Sequence, residues 1–146
     1  MKRFLIVTFV LALALSACAS KTQDSAAPVL KVSDGNVEKT YTVDDLKALG
    51  ESQADFKGVT YVGVQLTALL EDAGIDSSAL TAVKAVASDG FTVNYESALY
   101  SREDTLVAYA TVDGPLGEED GSFRMVLPDQ EGKLNPRQLV EIIAIP

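Results

Sequence analysis

The feature that most constrains this 146-residue chain is the one long apolar run at its N-terminus. Lys2 and Arg3 precede the run FLIVTFVLALAL, from Phe4 to Leu15. This run is shorter than the ~20 residues of a bilayer crossing, and a basic start before it is typical of an export signal. Because no second run approaches the length of a crossing, the rest of the chain is predicted to fold in water outside the cytoplasmic membrane.

The single cysteine of the sequence, Cys18, follows this run directly. Leu15-Ser16-Ala17-Cys18 resembles the bacterial lipobox, in which the thiol is diacylated and the chain is cut before the cysteine. Two acyl chains suffice for stable attachment to a membrane. The alternative is an ordinary signal peptide cut near Ala17 or Ala19, with Cys18 incidental. Because Ala19 is not Asp, the lipobox interpretation favours the outer membrane in a Gram-negative host, and the cell surface in a Gram-positive one.

The sequence therefore divides into a signal peptide (1–17), a lipidated cysteine with a flexible tether (18–28) and one domain (29–146). The tether, ASKTQDSAAP after Cys18, is small and polar and ends in proline, a composition that cannot bury enough apolar surface to order itself. About 118 residues remain, which is an ordinary size for a single domain.

Charge and composition exclude several functions. Loss of the signal removes Lys2 and Arg3 and takes the net charge from −9 to −11, which disfavours nucleic acid and anionic headgroups as partners. The chain has no histidine, so the commonest general base and the usual zinc and haem ligands are missing. The acidic run Gly117 to Asp120, with Asp113, lacks the ligand spacing of a calcium loop and is predicted to be solvated surface.

Short strand and helix patterns fill the domain. Asp34-Gly35-Asn36 suits the tight turn of a β-hairpin within VLKVSDGNVEKTYT. Thr42 and Asp45 predict a capped helix that ends at Gly50, and LTALLEDAG predicts a second helix, from Leu66 to Gly74.

Further strands are predicted towards the C-terminus. Asn135-Pro136-Arg137 predicts one helical turn before the last of them. The predicted strand segments are GVTYVGV, Ala82 to Ser88, Phe91 to Tyr95, Thr105 to Val112, Phe123 to Pro128 and the final VEIIAI. Many short strands with two or three short helices indicate an α+β fold with mixed sheets.

The order of these motifs resembles a known family. TYTVDDLKAL, GVTYVGVQLTALLEDAG, ASDGFTVNY, LVAYATVDGPLG and SFRMVLPDQEGKLNPRQLVEI together look like the molybdopterin-binding domain of sulfite oxidase and its bacterial relatives. The resemblance runs from about Thr40 to Ile145. It implies a compact α+β domain with mixed sheets and a cofactor pocket built largely from loops at strand ends.

The resemblance also implies a molybdenum-binding cysteine between TVDDLKAL and YVGVQLTALL. The matching interval here, Gly50 to Thr60, contains no cysteine and is short. Cys18 cannot replace it if it is an acylated anchor. The sequence therefore predicts a member of the family without the metal site and without catalytic activity.

The organic part of such a pocket has matching residues. In the family, an arginine of the RLVVP-like strand and a lysine before the final strand help hold the phosphate and pterin; Arg124 and Arg137 match them. A family histidine falls near Asp120, and a carboxylate there suits an uncharged pterin, whose amino-pyrimidine edge donates two hydrogen bonds. The predicted ligand-binding residues are Arg124, Arg137, Tyr61, Tyr95, Tyr109, Asp89 and Asp120, with Phe91 and Phe123 as further stacking surfaces. The alternative is that the aromatics are core, that the arginines pair with surface carboxylates and that Asp89 is a hairpin corner.

The sequence is compatible with three functions, each from a different functional class. The first is a non-catalytic envelope lipoprotein that binds a small heterocycle, such as a pterin without metal. The second is an interaction protein that offers the fold as a surface to an envelope partner. The third, which the missing thiolate disfavours, is a molybdenum oxidoreductase.

Overall fold

The computed structural model of the protein describes residues 27–146. The predicted signal peptide, Cys18 and most of the tether lie outside the described residues. Within the described chain, two mixed or antiparallel sheets pack face to face around one main core, with short helices at their ends. The α+β fold with mixed sheets, predicted from the sequence, is confirmed.

The first sheet has the strand order β2-β1-β10-β5-β6. Its strands are β1 (Leu30–Ser33), β2 (Glu38–Tyr41), β5 (Ala82–Ala87), β6 (Thr92–Glu96) and β10 (Leu139–Ile145). β1 and β10 run parallel, and the other pairs are antiparallel. The sheet thus joins the beginning of the domain to its end, and the predicted β1–β2 hairpin is present.

The second sheet has the order β3-β4-β7-β8, and a further strand, β9, pairs with β7. Its strands are β3 (Ser52–Phe56), β4 (Val59–Gln65), β7 (Leu106–Thr111), β8 (Gly114–Pro115) and β9 (Arg124–Val126). Along β4 and β7, Val62 pairs with Ala110 and Gly63 with Ala108, so Tyr109 is an extra residue in a β-bulge. A bulge of this kind redirects the side chain of the extra residue.

Three short α-helices connect the strands: α1 (Val43–Ala48), α2 (Leu66–Asp72) and α3 (Ser97–Tyr100). Helix α1 begins with the predicted capping box, in which the Thr42 side chain accepts from the Asp45 amide and the Asp45 carboxylate accepts from the Thr42 amide. Gly50 and Gly74 follow α1 and α2 with φ of 103° and 82°, as helix-ending glycines do. Among residues 27–146, no helix combines the length and apolar character that a membrane crossing requires.

The structure differs from the sequence prediction in one helical turn and in several elements that were not predicted. The helical turn before β10 is a 3₁₀ turn at Gly132–Leu134, and Asn135 follows it instead of starting it. The Asn135 side chain accepts from the Leu127 amide and donates to the Glu131 carbonyl, so it closes a loop. Strand β3 and helix α3 were not predicted; β3 lies inside the interval Gly50 to Thr60.

Candidate functional site

Arg124 lies in a small second core on one face of the second sheet. The chain alternates along β9, so Arg124 faces away from the main core while its neighbour Met125 enters it. Arg124 pairs with Ala108 of β7, and Tyr61 of β4 lies on the same face. The apolar members of this second core are Ala54, Phe56, Tyr61, Leu106, Ala108 and Val126.

The Arg124 guanidinium is nearly inaccessible, with 3% of the residue exposed. Its Nη1 donates to the Tyr61 hydroxyl at 2.8 Å and to Oδ1 of Asp120 at 2.7 Å, and its Nε donates to the Met125 carbonyl at 3.4 Å. The guanidinium carbon lies 4.5 Å from the centre of the Tyr61 ring and 5.6 Å from that of Phe56. Arg124 is therefore held by an ion pair and two aromatic rings.

Asp120 connects this buried cation to a second, half-exposed one. Its side chain is 12% exposed, and its Oδ1 lies 3.5 Å from Nε of Arg137. Arg137 also donates from Nη1 to Glu119 at 2.9 Å. The sequence prediction placed Asp120 beside Arg124 and Arg137, and the structure brings all three together with Tyr61.

A shallow cleft of about 230 Å³ opens on the outer side of Arg137. Asp89 and the half-exposed ring of Phe91 line it, and Arg137 shares it with Glu119. Asp89 also accepts from the Phe91 amide at 2.9 Å, so it serves the hairpin turn as well. Arg124 is not among the lining residues of this cleft because it is buried beneath Asp120.

A larger cleft, of about 460 Å³, lies between α1 and the strands β3, β4 and β7. The bulged residue Tyr109 lines it, although only 6% of this residue is exposed. Burial and the nearby Glu51 carboxylate raise the pKa of the Tyr109 hydroxyl, which is therefore protonated at neutral pH. The lining residues are Lys47, Glu51, Gln53, Val62, Tyr109, Ala110, Thr111 and Val112.

Tyr109 differs from the other four tyrosines in its hydrogen bonding. Each of those has a hydroxyl partner: Asp72 for Tyr41, Arg124 for Tyr61, the Leu134 carbonyl for Tyr95 and the Leu80 and Ser77 carbonyls for Tyr100. The Tyr109 hydroxyl makes no hydrogen bond to a described residue, and no fully buried polar side-chain atom in residues 27–146 lacks a partner. Its oxygen is therefore not fully buried, and Tyr109 is a lining residue of the cleft.

Three predicted aromatic residues belong to the main core: Tyr95, Tyr109 and Phe123, of which Tyr109 also lines the larger cleft. Tyr95 is fully buried, and its hydroxyl is already bonded to the Leu134 carbonyl at 2.8 Å. Phe123 is 1% exposed in the same core. Sequence reasoning did not identify Phe56, Lys47, Glu51 or Gln53. Glu51 and Gln53 lie in the interval Gly50 to Thr60, which the sequence resemblance matched to a metal-bearing segment; the position of this interval was the sequence signal that could have pointed to them.

Comparison with known proteins agrees with this architecture. The family model described as oxidoreductase molybdopterin binding domain matches residues 22–145. The chain belongs to this family. A search of curated protein sequences found no match. The sulfane dehydrogenase SoxCD from Paracoccus pantotrophus has a similar structure, with a TM-score of 0.68 and 18% identity over 81% of this chain. This chain spans 38% of the length of that SoxCD chain, and the likeness concerns the fold alone.

The family binds molybdopterin, but the residues described here do not fit the complete cofactor. Residues 27–146 contain no cysteine that would supply a thiolate to the metal, and within them no three potential ligands form a metal-binding group. Arg124, which the sequence resemblance predicts at a cofactor-binding position, forms an ion pair with Asp120. The missing thiolate is a property of the sequence, and the neutralised arginine is a property of the fold.

Proposed function

We propose that this chain is a non-catalytic member of the molybdopterin-binding family that binds a small planar heterocycle, such as a pterin without metal, in the Tyr109 cleft. The lipobox at Cys18 would hold it at the bacterial cell envelope. The observation that carries the binding proposal is Tyr109, which occupies a β-bulge, lines the cleft of about 460 Å³ and has a hydroxyl without a hydrogen-bond partner among the described residues.

The size and chemistry of the cleft suit such a ligand. A volume of about 460 Å³ falls within the usual range for small-molecule sites. Val62, Ala110 and Val112 supply an apolar wall for a flat ring. The Gln53 amide and the Tyr109 hydroxyl can each donate and accept, which matches the mixed donors and acceptors along the edge of a pterin.

The charged groups at the rim suit a ligand without phosphate. Lys47 and Glu51 contribute one charge of each sign, so the cleft has no excess of positive charge. The Lys47 ammonium also lies 3.3 Å from Asp44, which offsets part of its attraction for an anion. A neutral heterocycle is therefore preferred to a phosphorylated one.

A second candidate function is protein–protein interaction. A cleft of about 430 Å³ is lined by Pro28, Val29, Phe123, Leu139 and Val140 together with polar residues. Val29 and Val140 are 49% and 40% exposed, and Gln138 connects this cleft to the one that contains Phe91. Exposed apolar surface of this kind favours a protein partner if no small ligand binds.

The binding proposal is tested with unsubstituted pterin and the full chain purified in detergent. Titration by the fluorescence of pterin should give saturable binding, and Tyr109→Phe should weaken it by about three- to tenfold, the value of one net hydrogen bond. Tyr61→Phe is the matched control, because it removes a hydroxyl that faces the opposite side of the same sheet.

The possible outcomes are distinct. Loss of binding in Tyr61→Phe with unchanged binding in Tyr109→Phe would move the ligand to the Arg124 cluster. Absence of pterin binding by the unmodified chain would refute the heterocycle proposal and leave protein interaction as the better account. Stoichiometric molybdenum in the protein from its native host would refute its non-catalytic character.

A further inference from the structure

We infer that Asp120 closes a potential binding site for an anionic group, formed by Arg124, Arg137 and Tyr61. While the Asp120 carboxylate is in place, a phosphate, sulfonate or carboxylate group of a ligand cannot bind there. Asp120 is thus a residue that determines specificity, and it acts by exclusion.

The two cations converge on one carboxylate oxygen. Nη1 of Arg124 lies 2.7 Å from Oδ1 of Asp120, and Nε of Arg137 lies 3.5 Å from the same atom. Arg124 belongs to β9 and Arg137 to the loop before β10, and the fold brings both to Asp120. An oxygen at this position is stabilised by both guanidinium groups, as an oxygen of a bound anion would be.

The site offers more donors than Asp120 uses. Nη2 of Arg124 makes no hydrogen bond to a described residue, whereas its Nη1 and Nε do. The Tyr61 hydroxyl accepts from Nη1, so its own proton remains for another acceptor. A single carboxylate therefore leaves part of the donor set free, and a tetrahedral oxyanion could use more of it.

Burial explains why the Asp120 charge decides the occupancy of the site. Arg124 is 3% exposed, and within residues 27–146 its only ion-pair partner is Asp120. A second anion at Arg124 would approach the buried Asp120 carboxylate closely, and like charges at short range in a poorly solvated place repel strongly. Conversely, removal of the Asp120 charge would leave a desolvated guanidinium without a counterion, which attracts a replacement anion.

The loop that carries Asp120 holds it in the closed position. The Asp120 amide donates to the Gly117 carbonyl at 2.9 Å, and the Asp120 carbonyl accepts from the Gln138 amide at 2.8 Å. Gly121 follows with φ of 71° and lies so near Gln138 that a Cβ would come within 2.9 Å of its Cα. Because the backbone is fixed on both sides, the exclusion of anions is a constant property of the folded protein.

The test is chemical rescue of Asp120→Ala in the full chain, with sodium formate and sodium phosphate as probes and sodium chloride at equal ionic strength as reference. Formate or phosphate should raise the melting temperature of Asp120→Ala in a saturable way, with an affinity at least about tenfold above that of the unmodified protein. Glu119→Ala is the matched control, since it removes a neighbouring, exposed carboxylate that pairs with Arg137 alone. It should show no such rescue.

Two further variants keep the inference testable if Asp120→Ala folds poorly. Asp120→Asn retains the size of the side chain without its charge and should also bind phosphate more tightly than the unmodified protein. If Asp120→Ala is unfolded in chloride, its recovery of native circular dichroism in formate replaces the melting shift as the readout. Adding Arg137→Ala to Asp120→Ala should weaken the rescue. Equal stabilisation of the unmodified protein and both Asp120 variants by phosphate, or rescue of none of them, would overturn the inference.

Discussion

The substitution Gly63→Ala gives the sharpest test of the packing between β4 and β7. A Cβ at Gly63 would lie 2.3 Å from the Val107 carbonyl oxygen and 2.6 Å from the Ala108 Cα. Ordinary contacts between such atoms are ~3.5 Å or more, so the strands would have to separate by about 1 Å. The obstructing atoms are backbone atoms of a paired strand, and no side-chain rotation can relieve the clash.

The expected cost follows from that separation. Overpacking alone costs about 1–3 kcal/mol. Weakening one or two hydrogen bonds of the adjoining ladder adds about 1 kcal/mol each. Gly63→Ala should therefore lower the free energy of unfolding by about 3–5 kcal/mol, a large part of the 5–15 kcal/mol typical of a domain.

Urea denaturation followed by circular dichroism measures this change. Gly117→Ala is the matched control, because a Cβ at Gly117 meets nothing within 4 Å and its φ is not in the left-handed region. It should be neutral or stabilise by up to about 1 kcal/mol. If Gly63→Ala stayed within about 1 kcal/mol of the unmodified protein, the close approach at the bulge would be wrong.

Three further predictions concern the core, pH and the membrane. Leu69→Ala should lower the free energy of unfolding by about 2–5 kcal/mol in urea denaturation, because Leu69 is fully buried. Glu71→Ala, on the exposed side of α2, should be nearly neutral, and equal effects of the two substitutions would contradict the burial of the Leu69 face. Hydrogen bonds from Lys39 and Tyr41 lower the pKa of the Asp72 carboxyl in the folded protein. The ionised carboxylate therefore stabilises the fold fully above the unfolded-state pKa of ~3.9, and this stabilisation is lost as the pH falls through the lower pKa of the folded state. At pH 7, Asp72→Asn should lower the free energy of unfolding by about 1 kcal/mol, a value reduced for the partial exposure of Asp72. Urea denaturation from pH 7 to pH 3 should show the difference in stability between this variant and the unmodified protein shrinking below pH 4, and a constant difference would refute the link between the Asp72 charge and stability. Cys18→Ser should release the folded chain from membranes in fractionation of the native host, and persistent attachment would refute the lipid anchor.

Local sequence signals predicted the elements whose stabilising contacts are close in the chain. The Asp34 carboxylate accepts from the Asn36 and Val37 amides at 2.8 Å, which are hydrogen bonds that a turn motif reveals. The capping box of α1 is likewise contained within four residues. Strand β3 could not be predicted in this way, because SQADF has little β propensity and depends on its pairing with β4.

The sequence also determined the family, because the order of five motifs can be recognised without knowing which residues contact each other. It also fixed the absence of histidine and of any cysteine besides Cys18. It suggested that Asp120, Arg124 and Arg137 share a site, and the structure brings them together.

Only the tertiary structure decided the state of that site. Arg124 and Tyr61 are 63 positions apart in the chain, and the depth at which the Arg124 guanidinium is buried depends on the pairing of distant strands in the second sheet and on its contact with Asp120, which no local pattern specifies. That burial turns Asp120 from a neighbouring carboxylate into a fixed counterion, since a desolvated charge requires a partner. The same holds for Tyr109: it is one extra residue in the pairing of β7 with β4 and lines a cleft, and the register between strands is set by the whole sheet.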